Sequence, residues 1–164
     1  MTHASTHTPP ADERTLAVAG NLALMRGFMG MKQTAYSLII TDRRLIFAEF
    51  TKAMMSETVS QARDQAKAQG KGVMGRWSAQ LRGSATYHER YRGMPPAAAL
   101  AESPGNFAID RAIIRKVKFK EGSFEDTHST LERLIIKTSS GKYKLHVRGS
   151  LSAAREAFRA AGIS

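Results

Sequence analysis

Along residues 36–50, YSLIITDRRLIFAEF, apolar and polar positions fall into two short alternating runs. Tyr36, Leu38 and Ile40 share one parity and Ser37, Ile39 and Thr41 the other. After a polar break, Leu45 and Phe47 alternate with Ile46, Ala48 and Phe50. Successive residues of a strand point to opposite faces, and both runs are rich in β-branched and aromatic residues. A strand–turn–strand hairpin is predicted. Asp42 in Thr41-Asp42-Arg43-Arg44 can bond its own backbone two residues on, which suits a turn. Upstream, TLAVAGNLALMRGFMGM (15–31) is apolar and punctuated by Gly20, Gly27 and Gly30. Glycines at such spacing favour bends or bulges over a helix, so a strand is expected near 22–29. Residues 1–13 show no periodicity and are expected to be a disordered arm ahead of one domain over 14–164.

Residues 51–105 change character, with alanine, glutamine, lysine and arginine prominent. Ser56 suits an N-cap, and Gly70 and Gly72 break the run. The pattern predicts helices over 56–69 and 73–92. Along the second, Val73, Met74, Trp77 and Leu81 fall at helical spacing, with Tyr87, His88 and Tyr91 further on. Pro95 and Pro96 open a short helix over 95–102. Fifty-five residues are far too many for an ordinary connection between strands. A helical insertion over about 52–104 is expected.

Strand signals return at Asn106. Strands are predicted over 106–109, 113–120, 131–138 and 142–148, with a polar loop at 122–129 and a hairpin turn at Ser139-Ser140-Gly141. In SLSAAREAFRAAGIS, Ser150 caps a helix, Leu151, Ala154, Phe158 and Ala161 form its apolar stripe, and Gly162 ends it. Seven strands and an amphipathic C-terminal helix make an α+β, mainly β protein.

This order resembles the pleckstrin-homology-like domains of the bacterial and archaeal PH and GRAM-like kind. The resemblance lies in YSLIITDRRLIF (36–47), FAIDRAIIRKVKFKEG (107–122) and LIIKTSSGKYKLHV (134–147). Asp110 stands where that family commonly has proline. The resemblance implies a seven-strand open barrel or sandwich with a C-terminal helix, here with a helical segment inserted between strands 3 and 4. It also implies a non-enzymatic binding or scaffold role.

A chain of 164 residues suits one domain with an elaboration. It has no cysteine, which excludes disulfides, thiolate metal sites and a cysteine nucleophile and suits a reducing compartment. No apolar run approaches the roughly 20 residues of a spanning helix, and MTHASTHTPPADE lacks the basic start and apolar block of a signal peptide. The expected location is the cytoplasm, with peripheral attachment to the inner membrane face. The formal charge is +11, and the excess is concentrated late: residues 106–164 carry 12 basic groups against 6 acidic ones. Such a surface attracts anionic lipid, nucleic acid or acidic protein.

Three places carry candidate chemistry. Arg43 and Arg44 could hold a phosphate through paired hydrogen bonds. Alternatively, Asp42 shapes the turn and an arginine pairs with a carboxylate, which is the reading the resemblance favours. The second place is a surface. With Val117 and Phe119 inward, Lys116, Lys118 and Lys120 point outward. With Tyr143, Leu145 and Val147 inward, Lys142, Lys144, His146 and Arg148 point outward. With Leu134 and Ile136 inward, Arg133 and Lys137 point outward. On neighbouring strands these cations share one face. That face is either a polyanion site or a solvated surface whose lysines discourage edge pairing. The third place is the insert. Lys67, Lys71, Arg76, Arg82, Arg90 and Arg92 accompany Trp77 and Leu81, as in a basic amphipathic helix at a membrane interface. Alternatively, Trp77, Leu81, Tyr87 and Tyr91 pack on the domain itself or on a second copy.

Catalytic motifs are lacking. GKGVMG (70–75) has neither the preceding strand nor the Gly-Lys-Ser/Thr end of a phosphate loop, and His88-Glu89 is not part of H-E-x-x-H. His3 and His7 on the arm are expected to be inert. No enzyme, metal or cofactor is expected. The favoured partner is an anionic membrane surface. The alternative is a protein-interaction module that homo-oligomerises through the insert, and nucleic acid ranks last.

Overall fold

The computed structural model describes residues 12–70, 72, 74–75, 86–122 and 131–164. Seven strands are present: β1 (Thr15–Arg26), β2 (Lys32–Thr41), β3 (Arg44–Glu49), β4 (Phe107–Asp110), β5 (Ile114–Lys120), β6 (Arg133–Thr138) and β7 (Gly141–Val147). They form one antiparallel sheet in the order β4-β3-β2-β1-β7-β6-β5. Helices α1 (Lys52–Ala68) and α2 (Pro96–Ala101) lie between β3 and β4, and α3 (Leu151–Ala160) follows β7. This is the arrangement that the pleckstrin-homology-like resemblance implies.

β1 joins the two halves of the sheet. It pairs with β2 along its length, and with β7 over Leu22–Leu24. It runs over Thr15–Arg26 and not the expected 22–29, and an irregularity between Ala19 and Leu22 reverses its parity. Ala17 and Ala19 face the core before that point, and Leu22 and Leu24 face it after. No single period of two fits both halves, so the alternation is hidden in the sequence. Asn21 carries the irregularity with a φ of 56°. Gly20 lies under the His88 ring, and a Cβ at position 20 would approach its Nδ1 to 2.0 Å.

One core fills one face of the sheet. Leu38, Ile40, Leu45, Phe47, Leu134, Ile136 and Leu145 meet Leu151, Ala154, Ala157 and Phe158 of α3 there. Burying side chains of this size contributes roughly 1.5–3 kcal/mol each. Ser150 caps α3 by accepting from the Ala153 N–H at 3.1 Å. Gly162, at φ 71°, ends it, with the Ile163 N–H donating to the Phe158 carbonyl. Glycine suits that left-handed position because it has no Cβ.

A second, smaller cluster covers the opposite face of β1, β2 and β3. Val18, Ile39, Ile46 and Ala48 are buried there against Tyr91 and Ala99. The later part of the insert therefore packs on its own sheet. Three expectations are corrected here. The first helix starts at Lys52, capped by Thr51, whose hydroxyl accepts from the Met54 N–H at 3.2 Å. Ser56 is an exposed position inside that helix. The stretch Tyr87–Gly93 is a 3₁₀ segment and not the end of an α-helix. There the contacts of Tyr87 and Tyr91 with the sheet and with Glu102 override the helical pattern. Residues 73 and 76–85, with Trp77 and Leu81, lie outside the described residues, as do 123–130 in the predicted loop. The expected arm also lies outside them through residue 11. Its last residue, Glu13, is instead fixed in the fold, with its side chain 3% exposed.

Candidate functional site

The hairpin tip between β2 and β3 is held internally. The Thr41 hydroxyl accepts from the Arg43 and Arg44 N–H groups at 3.1 and 2.9 Å and donates to Glu13 Oε1 at 2.7 Å. Arg44 donates to both oxygens of Glu13, at 2.9 Å each. Arg43 pairs with Asp12 at 2.9 Å on the surface. The turn is thus shaped by Thr41 and not by Asp42, whose Oδ1 accepts from the Arg14 N–H at 3.1 Å. A threonine hydroxyl at the start of a tight turn competes for the same backbone groups as an aspartate. With Arg44 committed to a buried carboxylate, the arrangement does not present a twin-arginine phosphate clamp.

The sheet half formed by β5, β6 and β7 is different. Its registers set Lys116 opposite Lys137 and Lys137 opposite Lys142. The next row is Lys118, Ile135 and Lys144, and the row after that is Lys120, Arg133 and His146. Val117, Leu134, Ile136, Leu145 and Val147 sit in the core, with Phe119 and Tyr143 packed against it, so the cations take the opposite face. Directly paired residues have Cβ atoms about 5 Å apart. Like charges facing at that distance repel, and no aspartate or glutamate lies on any of the three strands. The Lys118 amine shows the result. The charges of Lys116 and Lys137 hold it below the usual lysine range, helped by desolvation and by Lys120 and Lys142. His146 is pushed below the ordinary histidine value by burial first, then by Arg148 and Arg133. Arg148 itself, just after β7, donates to Gln33 Oε1 on β2 at 2.9 Å.

The register brings Lys116, Lys118, Lys120, Lys137, Lys142 and Lys144 together on one face and leaves Arg148 at its edge. It leaves Asp42, Arg43 and Arg44 on the hairpin between β2 and β3. Tyr91 and Tyr87, expected as interface residues of the insert, are used within the domain. Tyr91 is 1% exposed, and Tyr87 packs against Phe50 with ring centroids 4.5 Å apart and the rings tilted by 36°. Arg90 lies over both tyrosine rings and pairs with Glu102.

Sequence reasoning missed one feature. Between β1 and β2 the chain turns through Phe28–Gly30, and Phe28, Met29 and Met31 are each 82% exposed. Gly27 and Gly30 have φ of 78° and 69°, and Met29 has 54°. This tight turn points three large apolar side chains away from the protein, with Arg26 and Lys32 beside them. The pair of glycines around Phe28-Met29 was the available signal, although the same residues also read as a strand end. The turn lies at the same end of the sheet as the Lys116–Lys137–Lys142 row. β1 runs antiparallel to β7 with Leu24 opposite Leu145, so the end of β1 approaches the start of β7.

No family model matches this sequence, and no curated protein gives a significant match. Among solved structures, the chain is similar to the Vps36 N-terminal PH domain. The TM-score is 0.48 and the identity 10%, covering 93% of this chain and 82% of that chain. Function therefore has to be argued from the site. Among the described residues, no helix is long and apolar enough to cross a membrane.

Proposed function

We propose that this protein is a non-enzymatic binding module that attaches peripherally to anionic membrane surfaces. The observation carrying the reading is the placement of a lysine-rich face and an exposed apolar tip on the same sheet, with the Lys116–Lys137–Lys142 row at the tip's end. Lysines attract anionic headgroups from a distance, with a strength that falls as salt screens them. Phe28, Met29 and Met31 gain by leaving water for the headgroup–acyl boundary. Tyr91 and Ala99 of the insert cover the apolar outer face of β1–β3, while Lys116, Lys120, Lys142 and Lys144 on the outer face of β5–β7 are exposed. Tyr87 and Tyr91 are already occupied within the domain, which weighs against self-association through the insert.

The two contributions separate experimentally. In vesicle flotation, Met29→Ser/Met31→Ser should retain binding to anionic vesicles at low salt and lose the part that survives at high salt. A double variant that floats like the wild type at every salt concentration would remove the tip from the account.

A further inference from the structure

We propose that Lys118 is the preferred acylation site of this chain, its side-chain amine taking an acyl group from a donor of the acyl phosphate class. Lys118 is the middle residue of the outward lysines on β5, with Lys116 and Lys120 two residues to either side. Across the sheet, Lys137 and Arg133 on β6 and Lys142 and Lys144 on β7 complete its charged surroundings. Lys118 is half-buried and stands opposite Ile135.

Two physical consequences follow from that grid. Neighbouring cations disfavour the protonated form of the amine, in line with the lowered proton affinity of Lys118. A larger fraction of it is then the neutral nucleophile. The same cations raise the local concentration of an anionic acyl donor. Exposed lysines off this face, such as Lys32 and Lys52, are not part of the grid.

The step balances without an oxidant or reductant. The neutral amine nitrogen attacks the acyl carbon, an amide C–N bond forms, and the acyl C–O bond to phosphate breaks. Inorganic phosphate leaves with the bonding electron pair, and the nitrogen releases one proton to solvent. The amide carries no charge, so each event removes one positive charge from the face. Lys118 acylation would therefore loosen attachment to an anionic surface, a consequence that rests on the reading under Proposed function.

The test treats the full chain with acetyl phosphate at mildly alkaline pH and follows each lysine by peptide mass spectrometry. Lys118 should be acetylated several-fold faster than Lys32 and Lys52. In Lys116→Gln/Lys137→Gln its rate should fall toward theirs, with circular dichroism confirming an intact fold. A neutral acetylating ester should give the same order with a smaller ratio. Equal rates at the three lysines, or a preference untouched by the double variant, overturns the proposal. Acetylated and untreated chains are then compared for binding to anionic vesicles. Lys118 labelling is scored without vesicles, so an unchanged affinity despite selective labelling counts against the membrane reading alone.

Discussion

Arg44 and Glu13 form a two-point ion pair whose side chains are 14% and 3% exposed. It ties the start of β1 to the start of β3, with Thr41 bonded to the same carboxylate. Removing one partner of a buried pair leaves the other charge desolvated and uncompensated. Arg44→Ala should therefore lower stability by about 3–5 kcal/mol in urea unfolding. A loss no larger than that of an exposed ion pair would show that water reaches Glu13. His146 supplies a prediction of opposite chemistry. Its folded pKa lies below 6.5, while in the unfolded chain it protonates near that value. Between the two values the unfolded state binds more protons, so stability falls as pH drops below 6.5 and levels off once the folded form also protonates. Unfolding midpoints measured on either side of this window should show that slope, and His146→Gln should flatten it. An equal slope in both proteins would assign the pH dependence to other groups.

The insert shows how one element can be partly legible in the sequence. Tyr91 sits against Val18 and Ile46 and donates to Glu102 Oε2 at 2.8 Å. Burial and the Glu102 carboxylate both raise its pKa, so the hydroxyl remains a donor. Tyr91→Ala opens a cavity over the outer sheet and should cost about 3–5 kcal/mol, read by the same unfolding experiment. An effect under about 1 kcal/mol, typical of a surface change, would mean that this segment does not cover the sheet. The existence and position of the insert were legible because alanine- and glutamine-rich sequence interrupts a strand pattern. Its docking was not, since Tyr87 and Tyr91 at helical spacing look the same whether they face a partner or their own sheet. The strands β5, β6 and β7 were the most legible elements. Lysines alternate with Val117 and Phe119, and with Tyr143, Leu145 and Val147, so parity alone assigned each residue to a face. β1 was the least legible, because its irregularity exchanges the parity of Ala17 and Ala19 for that of Leu22 and Leu24. The exposed tip escaped notice for a related reason: burial of Phe28 and Met29 depends on what surrounds the turn, which composition does not encode.

In the whole molecule the two halves of the sheet have different surroundings. β1, β2 and β3 are buried on one side by the core and over Val18, Ile39, Ile46 and Ala48 by the insert on the other. The β5–β7 half is buried on one side and cationic on the other, and its facing lysines repel one another. An anion lying on that face relieves the repulsion. The charge excess of the last third of the chain is thereby collected on one surface, next to the apolar tip. The most direct measurement is co-sedimentation with anionic and neutral vesicles across a salt series, for the wild type and for Lys116→Glu/Lys118→Glu/Lys144→Glu. The account predicts that the wild type pellets with anionic vesicles only, less as salt rises, and that the folded triple variant stays in the supernatant. Equal pelleting of the two proteins, or equal binding to neutral and anionic vesicles, would contradict it.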